Sequence, residues 1–246
     1  MGTVTATRSD LSKILLVADD QAYDPAVSPD STFLAPYPDS TGQGADIFPN
    51  TMPQGWSSLD EFNRWHVFIR QDDLATGFGA TVYRKPNAGG SADYIVAMQG
   101  TRGPNIQDWS GNLIYGWDRW GGPSANVAQG LLSELLALAD VNKIHFTGQS
   151  LGGALAQYAL YDYATRKEEF DPSQVTLTTF NGLGAIEAIT QNRGPINGAL
   201  VADVDTAHFW IPNDLVSRLG GGHLNANVNG SVNEYELSFS KVSGQT

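Results

Sequence analysis

Residues 142–163 read NKIHFTGQSLGGALAQYALYDY, and this stretch constrains the chain more than any other. Ile144-His145-Phe146-Thr147 has the short alternating pattern of a buried strand. Gly148-Gln149-Ser150-Leu151-Gly152-Gly153 then reverses the chain, and a run rich in Ala, Leu and Tyr continues as a helix. A side chain at 148 or 152 would collide with the neighbouring strand or helix in so tight a turn, and only glycine lacks a Cβ. Ser150 is thereby expected at a strained, exposed apex at the end of a sheet. There it would lie beside the free N–H groups of the first helical turn, whose partial positive charge suits a developing oxyanion. The pentapeptide G-x-S-x-G alone is weak evidence. The strand before it, the helix formers after it and the small residues Gly153 and Ala154 make it specific. The competing reading is a buried serine that caps the helix.

The rest of the chain arranges itself around this turn. A first helix is expected over 8–20, with Leu11, Ile14, Leu15 and Val17 as its apolar side. Residues 23–56 are rich in Pro, Gly, Asp, Ser and Thr and read as an irregular wrap. Ser58 and Glu61 form a capping box for a helix running to about 69. Strands over 78–85 and 93–99 flank the turn Pro86-Asn87-Ala88-Gly89-Gly90 as a hairpin. A leucine-striped helix follows over 124–140. Beyond the central unit come a strand at 175–180, a short helix at 185–191 and strands at 207–211 and 234–239. Strands alternating with helices imply one α/β domain over 1–246, with a mostly parallel sheet and helices on both faces. Its expected parts are an N-terminal wrap (1–77), a core (78–240) and a candidate lid (103–122).

Composition narrows the function. The formal charge of −12 argues against nucleic acid and other anionic polymers as partners. There is no cysteine, which removes disulfides and thiolate chemistry. No run is long and apolar enough to span a membrane, and no calcium-loop spacing is present. The polar residues 1–10 lack the apolar core of a signal peptide. That is compatible with a cytoplasmic protein, with a secreted one whose signal has been removed, or with export by another address.

A serine hydroxyl needs a general base, and the base needs an orienting carboxylate. The expected chain order is Ser, then Asp or Glu, then His. Asp214 is the best acid, because it follows the apolar strand ending at Ile211 and the stop Pro212-Asn213, at a strand's carboxyl end. Of the four histidines, His145 and His208 lie within strands and read as core residues. His66 falls in the early helix and out of order. His223, after Gly220-Gly221-Gly222, is the only histidine beyond Asp214, so it is the candidate base, although only nine residues separate the two. The oxyanion donors expected are the N–H of Leu151 and the N–H, with the hydroxyl, of Thr101, after an earlier strand. Beyond Thr101, Ile106, Trp109, Leu113 and Trp117 lie among hinge-like glycines. They read equally as the underside of a mobile cover or as a fixed loop packed on the core.

Together these residues resemble the class 3 lipases, the fungal-lipase-like branch of the α/β-hydrolases. The resemblance rests on Gln99-Gly100-Thr101 with Asp108-Trp109 and Leu113, and on the run from Gly148 through Ala156. It extends to Thr178-Thr179-Phe180-Asn181-Gly182 and Asn213-Asp214-Leu215-Val216. It covers roughly 78–240 and implies an α/β-hydrolase fold and carboxylic ester hydrolysis without metal or organic cofactor. It also implies Ser150 as nucleophile, Asp214 as acid, Thr101 and Leu151 as oxyanion donors, and a lid over an acyl pocket. Departures are Gln149 where the family often has His, Gln99 where it has Arg, and Asn112 where Asp is common. The disulfides of fungal secreted members are absent, and the family's catalytic histidine usually follows the last strand, whereas His223 precedes it. The expected function is lipase-like cleavage of acyl glycerides or related lipid esters, with a lipid or ester substrate met at a lipid–water interface. The alternatives are a phospholipase A1 or short-chain esterase on the same site, or an inactive hydrolase fold used as a binding module.

Overall fold

The computed structural model describes residues 11, 12, 14–16, 18, 65–73, 78–100, 130–211, 220–228, 231, 232 and 234–236. Seven strands form one sheet: β1 (His66–Asp73), β2 (Phe78–Pro86), β3 (Ala92–Met98), β4 (Val141–Gln149), β5 (Val175–Phe180), β6 (Asp205–Trp210) and β9 (Glu234–Glu236). They lie in the order β1-β2-β3-β4-β5-β6-β9, so β4 is central. β1, β2 and β3 pair antiparallel, and from β3 to β9 every pairing is parallel. A small hairpin, β7 (Asn227–Val228) with β8 (Ser231–Val232), precedes β9.

Helices cover both faces. Residues 11, 12, 14–16 and 18 are helical (α1), and Ile14, Leu15 and Ala18 pack with Trp65, Val67, Tyr83, Ile95, Ala97 and Phe209. The other face carries α2 (Leu132–Ala137), α3 (Leu151–Arg166) and α4 (Ile186–Arg193). Every residue of α3 from Gly152 to Ala164 is buried, as expected of a helix apolar on all sides. Its two polar exceptions are both partnered: Asp162 receives a bidentate bond from Arg193 at 2.5 and 2.8 Å, and Gln157 is described below.

Sequence and structure part at β1. Residues 66–69 were expected in a helix, and they are strand. Trp65 and Val67 are buried while His66 and Phe68 are exposed, a period of two, and the segment pairs in register with β2. Backbone pairing along an existing edge outweighs a local capping preference. The short hairpin between His223 and Glu234 was not read from the sequence. The expected strands at 78–85, 93–99, 175–180 and 207–211 and the helix at 185–191 occur within one or two residues of their observed bounds. The expected cap at Ser124 lies outside the described residues.

The register decides where the chemistry gathers. Met98 lies opposite Gly148, Gln149 opposite Phe180, and Phe180 opposite Phe209. The carboxyl ends of β3, β4, β5 and β6 therefore share one edge, the place where open α/β sheets bind ligands. Among the described residues no helix is long and apolar enough to cross a membrane.

Candidate active site

Ser150 stands where β4 ends and α3 begins, with φ 53° and ψ −123°. This is a conformation L-residues avoid, and strain of this kind persists only where the surroundings enforce it. Enforcement comes from three backbone bonds. Ser150 N–H donates to Phe180 O at 3.2 Å, and Ser150 O accepts from Gly153 N at 3.1 Å and Leu183 N at 3.0 Å. The glycines follow from close approach. A Cβ on Gly148 would lie 2.2 Å from Gly152 O, and one on Gly152 would lie 2.1 Å from Met98 O. The Ser150 side chain makes no capping bond to the helix, so the N-cap reading does not describe it.

Leu151 is the first residue of α3, where backbone N–H groups have no intrahelical acceptor. Thr101 lies outside the described residues, but the chain leading to it ends against the same turn. Gly100 N is 2.9 Å from the position a Cβ on Gly152 would take. Ile106, Trp109, Leu113 and Trp117 also lie outside the described residues. So does Asp214, which follows β6 by four residues. The end of β6 is tied to that of β5 by Asn181, whose N–H donates to Phe209 O and whose Oδ1 accepts from Ile211 N, both at 2.7 Å.

His223 is buried, and both ring nitrogens are engaged. Nδ1 lies 2.9 Å from Glu234 Oε1, and Nε2 lies 2.9 Å from Gly182 O. A carbonyl only accepts, so Nε2 donates to Gly182 O, and Nδ1 faces the Glu234 carboxyl group. The structure thus brings His223 to the segment supporting the serine turn, where its carboxylate partner is Glu234. Its own segment is pinned. Gly222 O accepts from Ala185 N and Ile186 N, Gly220 O accepts from Glu187 N, and Leu224 N–H donates to Gln157 Oε1 at 2.8 Å. Gln157 Nε2 in turn donates to Gly153 O at 3.0 Å and Leu183 O at 2.8 Å.

The other histidines sit elsewhere. His208 Nε2 donates to Leu224 O and its Nδ1 accepts from the Thr179 hydroxyl, each at 2.8 Å. Burial, reinforced by the charge of His223, pushes its pKa down to about 3. His145 bonds Thr176 Oγ1 at 2.8 Å, and burial lowers its pKa to about 4. His66 pairs with Arg84 at the exposed edge of the sheet, across from the amino end of β3. Glu234 and Gln157 were missed from the sequence. Gln157 left a signal, a lone amide within an apolar helix. Glu234 left none, because a hairpin separates it from His223.

A mostly parallel sheet covered by helices on both faces, with a strained serine at the sharp turn after its central strand, defines an α/β-hydrolase. The chain belongs to the phospholipase-like family described as the Tle-like phospholipase domain, whose family model matches residues 20–192. In fold it is similar to the Rhizomucor miehei triacylglyceride lipase, with TM-score 0.59 and 16% identity over 88% of this chain and 76% of that one. The Rhizomucor miehei lipase propeptide complex gives TM-score 0.59 and 16% identity over 88% of this chain, which spans 64% of that chain, less than two thirds of its length. The lipase from Rhizopus microsporus var. chinensis gives TM-score 0.51 and 15% identity over 88% of this chain and 70% of that one. No curated protein matches the chain.

Proposed function

We propose that the protein is a serine hydrolase of lipid carboxylic esters, with Ser150 as its nucleophile. The observation that carries this reading is the strained, uncapped Ser150 at the carboxyl edge of the sheet, in a chain of a phospholipase-like family. Ser150 Oγ attacks the ester carbonyl carbon and its proton passes to a general base. The oxyanion is met by the N–H of Leu151 and by Thr101. The base returns the proton to the departing alcohol, and water then releases the acid from the acyl-enzyme. Chain order offers His223 as a base with Asp214 as its acid, but with both ring nitrogens engaged the ring supports the serine turn instead. To act as the base the ring would have to leave Gly182 O and give up the proton it holds there. The segment 103–122, with Ile106, Trp109, Leu113 and Trp117, belongs to the acyl side of the site in this reading. Both glycerides and phospholipids fit as substrates. The family model favours phospholipids, and the fold is shared with triacylglyceride lipases.

The test is covalent labelling with a serine-reactive phosphonate, alongside fatty-acid release from phosphatidylcholine and from triacylglycerol. Labelling that disappears in Ser150→Ala, with release from at least one lipid, supports the enzyme. Wild-type protein that neither labels nor releases acid rejects it. A second reading, a hydrolase fold serving as a binding module, is favoured by the two engaged nitrogens of His223, and that rejecting outcome is the one it expects.

A further inference from the structure

We propose that His223 and Glu234 are positioning residues that orient and polarise the N–H of Leu151, the expected oxyanion donor, through two consecutive peptide units. The proposal rests on the reading of Ser150 as nucleophile and assigns new work to residues of the same site.

The chain of contacts is continuous. Glu234 Oε1 lies 2.9 Å from His223 Nδ1, and His223 Nε2 lies 2.9 Å from Gly182 O. Gly182 C=O and Leu183 N–H are the two ends of one peptide unit. Leu183 N–H donates to Ser150 O at 3.0 Å. Ser150 C=O and Leu151 N–H are the ends of the next. A peptide is planar, so fixing the direction of its carbonyl fixes the opposite direction of its N–H. The bond from Leu183 therefore sets where Leu151 N–H points, and the bond from His223 sets where Leu183 points.

Polarisation acts in the same sense. A group donating to a carbonyl draws electron density from the peptide nitrogen to the oxygen and makes the N–H at the far end a stronger donor. Successive bonds aligned head to tail reinforce one another, by roughly 10–30% per bond. Every link here runs the same way, with the His223 ring at one end and the expected oxyanion position at the other. Gly153 N, which donates to the same Ser150 O at 3.1 Å, adds to it. The Glu234 side chain is 37% exposed while that of His223 is 6% exposed. Among the described residues, the titratable groups facing the ring are Glu234 from β9 and His208 from β6, which stacks on it with centroids 4.6 Å apart. α3 contributes the neutral Gln157 through Leu224, and residues 181–185 carry no ionisable side chain.

The experiment has two arms on the intact chain. In the first, backbone amide and imidazole resonances are followed by NMR as pH rises through the deprotonation of His223. The Leu183 and Leu151 amide protons should shift with the ring, and the movement should vanish in His223→Gln. Amides that stay still while the ring titrates overturn the relay, and this arm needs no turnover. In the second, Glu234→Gln should lower kcat on the order of 10-fold with KM nearly unchanged. His223→Gln should cost no more than the roughly 10²–10³-fold of a lost oxyanion donor. A His223→Gln loss of about 10⁴-fold or more with folding intact would make His223 the base and overturn the positioning role. Wild-type protein without labelling or turnover would sink the hydrolase reading, while the amide shifts would still decide the relay.

Discussion

His208 and His223 stack ring on ring, their centroids 4.6 Å apart and their planes 19° from parallel, yet they meet different partners. His208 accepts from the Thr179 hydroxyl and donates once, to Leu224 O, as a neutral ring does. His223 lies between Glu234 Oε1 and Gly182 O, each at 2.9 Å. The hydroxyl thus meets one ring of the stacked pair and the carboxyl group the other.

Acid sensitivity follows from the neutral histidines. Burial holds His208 near 3 and His145 near 4, against an ordinary value of 6.5. Between 6.5 and those values the unfolded chain takes up protons that the native chain refuses. Their contribution is therefore complete above pH 6.5 and falls as pH drops toward the folded values, by about 1.4 kcal/mol per pH unit for each histidine. Urea unfolding at pH 7, 6 and 5 should show this decline, and His145→Gln should remove part of the slope. A flat profile over that window would contradict the assignment.

Strain at the nucleophile should be recoverable as stability. Ser150 at φ 53° costs about 1–3 kcal/mol, while glycine adopts such angles freely and loses about 0.5–1 kcal/mol in chain entropy. Ser150→Gly should therefore be more stable than Ser150→Ala by about 1 kcal/mol, or about 2–4 °C in Tm for a chain of this size. Both variants lack the hydroxyl, so calorimetry of the pair isolates the backbone. Equal melting temperatures would mean that the turn stores no strain.

Gln157 ties the nucleophile helix to the two segments beneath it. It is fully buried and serves Gly153 O, Leu183 O and Leu224 N. Gly153 O keeps its helical partner when the amide is removed, whereas Leu183 O and Leu224 N lose theirs. Gln157→Leu should cost about 1–3 kcal/mol for each orphaned group, measured by denaturant unfolding. A loss below about 1 kcal/mol in total would show that water replaces the amide, as happens at wet polar sites.

The serine turn was legible because its constraints are local. Gly148, Gly152 and Ser150 are close in the chain, and the collisions that demand glycine occur within the turn or against the strand beside it. Period and turn chemistry likewise located the strands at 78–85, 93–99 and 175–180. The segment 66–69 misled because its capping signal is local, whereas the pairing partner that overrides it is a separate strand, β2. The sequence by itself determined the α/β layering, the strained serine and the order of candidate groups along the chain. Only the tertiary structure decided that His223 meets Glu234 and Gly182 O. That contact depends on the β7–β8 hairpin returning the chain to the edge of β6 beside His208. Hydrogen bonds between segments brought together by a sheet edge leave no periodic trace in the residues that make them.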